Sequence, residues 1–216
     1  MIKFLLALTT VWAILAGVVV SLEGDLPLLY PDASSKFSYN DLAFLDIALR
    51  DSKEELIDIM GEPDRIAAIF ADAIGGYVYH FYYDDFGVVF LYPSFRDDDG
   101  YWVYTVFLFT ITNEKHIGPR GIRIGDCYKE VIRKFYTETP LLVGFDAIER
   151  HYLYGGPGDP ETGVLLFDDD GALWSIVYEH TLLREDGSFS GIGYFLLFNI
   201  EYDIVTSIRI GLLWVV

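Results

Sequence analysis

The stretch Gly121-Ile-Arg-Ile-Gly-Asp-Cys-Tyr-Lys-Glu-Val-Ile-Arg-Lys-Phe135 has an earlier counterpart, Asp46-Ile-Ala-Leu-Arg-Asp-Ser-Lys-Glu-Glu-Leu-Ile-Asp-Ile-Met60. When one stretch is shifted by 75 residues, the apolar and acidic positions coincide: Ile47 with Ile122, Leu49 with Ile124, Asp51 with Asp126, Glu55 with Glu130, and Leu56, Ile57 and Met60 with Val131, Ile132 and Phe135. This match indicates an internal repeat, and therefore two copies of one structural unit.

Each copy has the pattern of a short extended lead-in followed by an amphipathic helix. Asp51 and Asp126 stand where an N-cap carboxylate accepts hydrogen bonds from the first helical turn. Glu54 completes a capping box in the first copy, whereas Lys129 cannot do so in the second. Because a helix of about ten residues is marginal on its own, its apolar stripe must pack on another element. The flanking sequence favours an antiparallel sheet.

Composition narrows the class of protein. The chain has 216 residues, enough for one or two domains, and a net charge of −18. This charge argues against nucleic acid and anionic membrane surfaces as partners, and it favours a soluble surface or a basic partner. Aromatic residues make up 17% of the chain, which suits a β-rich protein. The single cysteine, Cys127, excludes an intrachain disulfide and a CxxC-type metal or redox site.

The N-terminal residues 1–22 have the pattern of a secretory signal peptide. Lys3 is followed by a stretch without charge, residues 4–22, and a cut after Ser21 fits the small residues preferred there. An uncleaved membrane anchor is an alternative, since the run is just short of a full span, and an ordinary buried segment is a third. Residues 23–40 contain prolines and serines and are typical of a linker or an irregular lead-in.

The rest of the chain alternates strand-like segments with polar turns, in two units at 41–115 and 116–216. Predicted strands lie at Tyr77–Tyr83, Val88–Tyr92, Tyr101–Thr112, Glu149–Tyr154, Gly163–Phe167, Ala172–His180, Gly191–Ile200 and Asp203–Gly211. Arg65–Ala73 is left open between a continuation helix and an irregular crossing. The predicted fold is therefore α+β: two tandem repeats, each a short helix or helix pair packed on one face of a three- or four-stranded antiparallel sheet.

Strict alternation along two strands assigns their faces. In Tyr101–Thr112 it places Trp102 and Tyr104 on one face, with Tyr101, Phe107 and Phe109 on the other. In the last strand it places Ile204, Ile208 and Ile210 opposite Val205, Ser207 and Arg209.

The motif Arg120-Gly-Ile-Arg-Ile-Gly-Asp126, followed by Glu130-Val-Ile132 and a tyrosine-rich sheet, resembles known architectures. It is similar to the tandem-repeat fold of beta-lactamase inhibitory protein and to envelope lipoproteins of the SmpA/OmlA type. It most resembles uncharacterised secreted proteins of gut Firmicutes. The lipoprotein cysteine and the paired disulfides of the inhibitor are missing here. The resemblance implies protein binding on an open sheet face, and it carries no catalytic residue.

Several residues are candidates for chemical sites. Cys127 begins a helix, where the helix dipole favours a thiolate, but its counterpart is Ser52 and an incidental thiol is the simpler interpretation. The runs Asp97–Asp99 and Asp168–Asp170 lack the alternating ligands of a calcium loop and are typical of solvated turns. The histidines have no metal-ligand spacing: His80, His116, His151 and His180. Gly155–Gly158 lacks the strand–helix context of a phosphate loop.

The aromatic excess is the remaining functional signal: core filling explains most of it, and the rest fits either simple packing between the two units or an exposed binding surface. Exposed Tyr and Trp on a rigid sheet are typical anchors of protein contacts, and the residues predicted to bind a partner are Trp102, Tyr104, Tyr79 and Tyr194. We therefore predict an exported, non-enzymatic protein-binding module with no cofactor or metal. Its predicted partner is another protein, for which the acidic charge favours a basic one, and a membrane is involved only through residues 4–22 if they stay uncleaved. The alternatives are a carboxylate-dependent hydrolase and a structural or immunity protein of the cell envelope.

Overall fold

The computed structural model describes residues 35–42, 44–72, 75–138, 141–145 and 148–214, so the predicted signal peptide and residues 23–34 of the predicted linker lie outside the described residues. The strands are β1 (Arg65–Ala71), β2 (Gly76–Tyr83), β3 (Gly87–Arg96), β4 (Trp102–Ile111), β5 (Leu141–Phe145), β6 (Ile148–Tyr154), β7 (Glu161–Phe167), β8 (Leu173–Leu183), β9 (Phe189–Glu201) and β10 (Ile204–Trp214). The helices are α1 (Lys53–Met60) and α2 (Tyr128–Lys134), and single 3-10 turns occur at Tyr39–Asp41 and Pro119–Gly121.

All ten strands belong to one antiparallel sheet, in the order β1-β2-β3-β4-β10-β9-β8-β7-β6-β5. The prediction of two helix-plus-sheet repeats is wrong. Strands from residues 41–115 and 116–216 meet where Leu108–Ile111 of β4 pair with Ile208–Gly211 of β10. The sheet is therefore continuous across both ranges, and among the described residues it is accompanied by two short helices.

The first strand was missed by the sequence pattern. Arg65–Ala71 is neither a helix nor an irregular crossing, because every residue of β1 has a pairing partner on β2. Its burial is also unusual, since most of its side chains are exposed on both faces of the sheet. Alternation between buried and exposed side chains, the usual sign of a strand, is therefore absent from β1.

What the two opening stretches share is a local arrangement of hydrogen bonds. The Asp51 carboxylate accepts from the Ala48 amide (2.6 Å), and the Asp126 carboxylate accepts from the Arg123 amide (2.8 Å). The backbone oxygens of Asp51 and Asp126 accept from Val106 of β4 (2.8 Å) and Val205 of β10 (2.9 Å). Each stretch therefore adds a short bridge to a strand near the middle of the sheet.

The helix caps lie one residue later than predicted. Ser52 is the N-cap of α1: its hydroxyl accepts from the Glu55 amide (3.2 Å), and the Glu55 carboxylate accepts from the Ser52 amide (2.8 Å). Cys127 is the N-cap of α2 and makes no capping hydrogen bond through its side chain. The carboxylates of Asp51 and Asp126 instead accept hydrogen bonds from the turn that precedes each helix.

Two β-bulges overturn the predicted faces. In β4 the register passes from Leu91–Val106 to Phe90–Leu108, so Phe107 is the extra residue and Phe109 returns to the face of Tyr104. In β10 a similar shift after Val205 places this residue, opposite Ile200, among the buried side chains, whereas Ile204 is exposed. A bulge inserts one residue and so reverses alternation beyond it.

Most of the hydrophobic core lies on one face of the sheet, which we call the buried face. Its strand residues are almost completely buried: Phe81, Val89, Phe109, Tyr178, Phe198 and Ile208. Phe44 packs on this face against Phe109, with ring centroids 6.3 Å apart. Phe135, at the end of α2, stacks on Tyr178 at 4.0 Å and meets Phe198 edge-on at 6.3 Å.

Arg120 ties the irregular segment before the first helix to the second half of the chain. Its guanidinium forms a two-pronged ion pair with Asp41, with Nε–Oδ1 and Nη2–Oδ2 distances of 2.7 and 2.8 Å. It also donates to the backbone oxygens of Ser35, Lys36 and Lys134 at 2.7–2.8 Å. The guanidinium carbon lies 4.0 Å from the centroid of the Phe135 ring. The arginine of the 120–126 motif is therefore a structural clamp.

Tyr83 gives the fold a predictable response to alkaline pH. Burial, with smaller effects of Glu62 and Asp64, raises the pKa of Tyr83 to about 12. Because the folded chain holds this proton more tightly than the unfolded chain, with its pKa of about 10, the contribution to stability is complete below pH ~10 and disappears as the pH rises towards about 12. We expect the urea midpoint to fall across this window, and to fall less in Tyr83→Phe. An equal fall in the variant would contradict this assignment.

Candidate functional site

The structure brings together three of the four predicted contact residues. Trp102 and Tyr104 lie on β4, and Tyr79 lies on β2. All three side chains point to the same side of the sheet as Phe109, which is the buried face. Tyr194 does not join them, because it lies on β9, across β4 from β2 in the strand order, and is buried.

Two further aromatic residues, which sequence reasoning missed, complete the cluster. Phe70 of β1 pairs with Tyr77 of β2, and their rings meet edge-on at 5.4 Å. Tyr79 meets Tyr104 in the same way at 4.8 Å. We call these five residues the aromatic patch: Phe70, Tyr77, Tyr79, Trp102 and Tyr104. Tyr77 alternates with Tyr79 and could have been found from that pattern, whereas Phe70 depended on the strand that was missed.

The aromatic patch is partly open to solvent. Phe70, Tyr77 and Trp102 are 54%, 50% and 41% exposed, and Tyr79 and Tyr104 are half-buried. Burial, followed by the neighbouring Tyr79, raises the pKa of the Tyr104 phenol. Tyr79 and Tyr104 are therefore the less exposed centre of the patch, and the more exposed rings of Phe70, Tyr77 and Trp102 lie around them.

Charge around the aromatic patch is mainly acidic. The guanidinium of Arg96 lies 4.6 Å from the centroid of the Trp102 ring, so this cation is already engaged with the patch. The adjoining turn is Asp97–Gly100, and Asp64 and Asp72 stand at the two ends of β1. Of these acidic residues, Asp72 follows Phe70 on β1 and the 97–99 turn precedes Trp102, whereas Asp64 lies at the far end of β1.

The acidic turns are built by their first aspartate. Asp97 Oδ1 accepts from the amides of Asp99 (3.1 Å) and Tyr101 (2.8 Å). Asp168 Oδ1 accepts in the same way from Asp170 (3.0 Å) and Ala172 (2.8 Å). Among the described residues, no group of three His, Cys, Asp or Glu side chains is arranged to hold a metal ion.

The histidines and the cysteine occupy separate places. His80 packs against Phe90 at 4.4 Å, and burial lowers the pKa of its imidazole. His116 lies edge-on to Phe86 at 5.5 Å, and His151 lies 4.6 Å from the Phe167 ring. Cys127 is exposed at the start of α2.

One mixed charged cluster lies at β7 and β8. Glu161 Oε1 is 3.4 Å from His180 Nδ1, and Glu161 Oε2 is 3.7 Å from Lys36 Nζ. Lys36 belongs to the segment before α1, whereas Glu161 and His180 belong to the sheet. Because Glu161 contacts both Lys36 and His180, the cluster connects this segment to the sheet. The nearby Tyr154 hydroxyl also contacts this segment, because it accepts a hydrogen bond from the Phe37 amide (3.2 Å).

Gly155–Gly158 connects β6 to β7, so it joins two strands and has no helix after it. No helix within the described part of the chain has the length and apolar character needed to cross a membrane.

Comparison of this chain with models of protein families, with curated proteins and with solved structures finds no match.

Proposed function

We propose that this chain is a non-enzymatic, exported protein-binding module, and that it binds its partner through the aromatic patch. The observation that carries the proposal is the grouping of Phe70, Tyr77 and Trp102, each 41–54% exposed, around the half-buried pair Tyr79 and Tyr104. Scattered exposed apolar residues are ordinary on a protein surface, whereas a contiguous group bordered by charge marks an interaction site.

The chemistry of the patch suits contact with protein. Tyr and Trp bury a large area for few rotatable bonds, and they are among the residues that contribute most to binding energy at interfaces. The edge-on contacts between Phe70 and Tyr77 and between Tyr79 and Tyr104 hold the rings in place before a partner arrives. Little conformational entropy is then lost on binding.

Charge supports a basic partner. The net charge is −18, and acidic residues adjoin the patch at Asp72, after Phe70 on β1, and in the 97–99 turn, before Trp102. A positively charged surface would be attracted over several ångströms, with a rate of association that falls as salt is added. The aromatic rings would then provide the short-range contact.

Site-directed photo-crosslinking in the producing cell tests the proposal. A photo-crosslinking amino acid at Tyr77 should yield an adduct of discrete mass, whereas the same amino acid at Tyr202, 96% exposed on the turn between β9 and β10, should not yield that adduct. Adding Trp102→Ala should lower the Tyr77 adduct by about tenfold, since the loss of a large aromatic contact at an interface costs ~1.4 kcal/mol.

Trp174→Ala is the matched control. Trp174 has nearly the same exposure as Trp102 but lies on β8, outside the aromatic patch, so its loss should leave the Tyr77 adduct unchanged. If Tyr77 gives no adduct, or if Tyr77 and Tyr202 give the same ones, the patch is not the binding surface.

A further inference from the structure

Within the part of the chain that the structure describes, β1 lies at one edge of the sheet. It stands first in the strand order and, among the described residues, pairs only with β2. In an antiparallel sheet the backbone N–H and C=O groups of alternate residues point away from the neighbouring strand. Half of the backbone groups of β1 therefore have no strand partner in the described ranges of the chain.

The devices that normally protect such an edge are missing from β1. Its pairing with β2 runs without a bulge from Arg65 to Ala71, and no proline lies within it. The single charged residue is Arg65, and its guanidinium carbon lies 3.5 Å from the centroid of the Tyr82 ring. Natural proteins usually block edge strands with bulges, prolines or charges, because an open apolar edge pairs with other chains.

The side chains of β1 offer apolar contact on both faces of the sheet. Ile66 and Phe70 point to the same face as Tyr77 and Tyr79. Phe70 belongs to the aromatic patch, and Ile66 extends its apolar surface along β1. Ile69 points to the opposite face, and Ile66 and Ile69 are 52% and 46% exposed. A strand laid along β1 would find apolar partners for its side chains on either side.

We propose that the partner docks by β-strand addition: an extended, basic segment of another protein pairs with β1 as an eleventh strand. Alternate apolar side chains of that segment pack beside Ile66 and Phe70, and its Lys or Arg residues lie near Asp64 and Asp72. This inference rests on the proposed function, since Phe70 and Tyr77 belong to the aromatic patch. It adds the binding mode and the chemistry of the partner.

A basic partner is favoured over a second copy of the chain. Two copies paired antiparallel about Ala68 would place Asp64 of one opposite Asp72 of the other, and like charges directly opposite are destabilising. Two copies would also each carry a net charge of −18. A segment with Lys or Arg at its ends removes both costs.

Neighbouring proline substitutions test the backbone pairing. Ala67 and Ala68 are adjacent, so one N–H points to β2 and the other points outward. In one of Ala67→Pro and Ala68→Pro we expect a clear fall in thermal midpoint, because a hydrogen bond to β2 is lost. In the other variant we expect the thermal midpoint of the wild type but about tenfold weaker binding of an added strand.

The probe is a nine-residue peptide of alternating lysine and valine, followed by fluorescence anisotropy at physiological salt. A glutamate–valine peptide and a lysine–valine peptide methylated at every backbone nitrogen are its controls. We expect the glutamate peptide and the methylated peptide each to bind about tenfold more weakly, since one loses the charge attraction and the other its backbone donors.

The outcomes separate the two proposals. Equal binding of the methylated and unmethylated peptides would show attraction by charge alone and would overturn strand addition, as would wild-type binding by the stable proline variant. A dimer in sedimentation that the stable proline variant abolishes would assign β1 to a second copy instead. If strand addition fails while the Tyr77 adduct persists, the aromatic patch remains the binding surface. If that adduct is also missing, the proposed function fails as well.

Discussion

Arg120→Ala should lower the free energy of unfolding by about 3–5 kcal/mol, the usual cost of removing one partner of a buried ion pair. Asp41 would be left mostly buried without its cation, and the backbone oxygens of Ser35, Lys36 and Lys134 would lose their donor. Arg120→Lys should recover only part of the loss, because an ammonium cannot reproduce the two-pronged contact. Urea denaturation followed by tryptophan fluorescence measures the change.

Arg123→Ala is the matched control for this experiment. Arg123 lies three residues away in the same motif and is exposed, so its loss should change stability by no more than about 0.5 kcal/mol. Similar costs for the two variants would show that Arg120 is not the clamp between residues 35–41 and the rest of the fold.

Phe135→Ala should cost about 3–5 kcal/mol, as for other fully buried phenylalanines. Phe135 is completely buried, stacks on Tyr178 at 4.0 Å and lies beneath the Arg120 guanidinium. The surrounding rings belong to β-strands fixed by pairing on both sides, so the cavity cannot readily collapse. Thermal and urea unfolding of the same variant provide two independent readings.

Phe95→Ala provides the comparison for Phe135, because Phe95 is exposed near the end of β3. Its loss should cost less than about 1 kcal/mol. Since Arg120 and Phe135 are in contact, their effects should also fail to add: the double variant should lose less than the sum of the two single losses. Simple addition would mean that the guanidinium–ring contact contributes nothing measurable.

Local features of the sheet were predictable because their signals are local. The Tyr77–Tyr83 strand and the Asp-Asp-Asp-Gly turns were recognisable from alternation and turn chemistry, and each depends on only a few neighbouring residues. The joining of β4 to β10 depends on residues about a hundred positions apart. No periodicity within either strand reports such a partner, which is why two separate units were predicted where one sheet exists.

The candidate site was predictable to a similar extent. Trp102, Tyr104 and Tyr79 were correctly placed on strands, but alternation alone could not show that β2 and β4 lie close enough for the Tyr79 and Tyr104 rings to touch. Tyr194 has the same residue type and strand context and yet is buried, because exposure depends on what packs above the sheet. The bulge at Phe107 moved Phe109 into the core, and it leaves no mark in the sequence.

The pairing of β4 with β10 also determines when the sheet can be completed during synthesis of the chain. Leu108 leaves the ribosome roughly a hundred residues before Gly211, its partner, which at 5–20 residues per second is a wait of roughly 5–20 s. Throughout that interval the edge of β4 that later pairs with β10 has no strand partner and can pair with other polypeptides. A holding chaperone, or export in an unfolded state, would keep the early strands from mispairing before synthesis is finished.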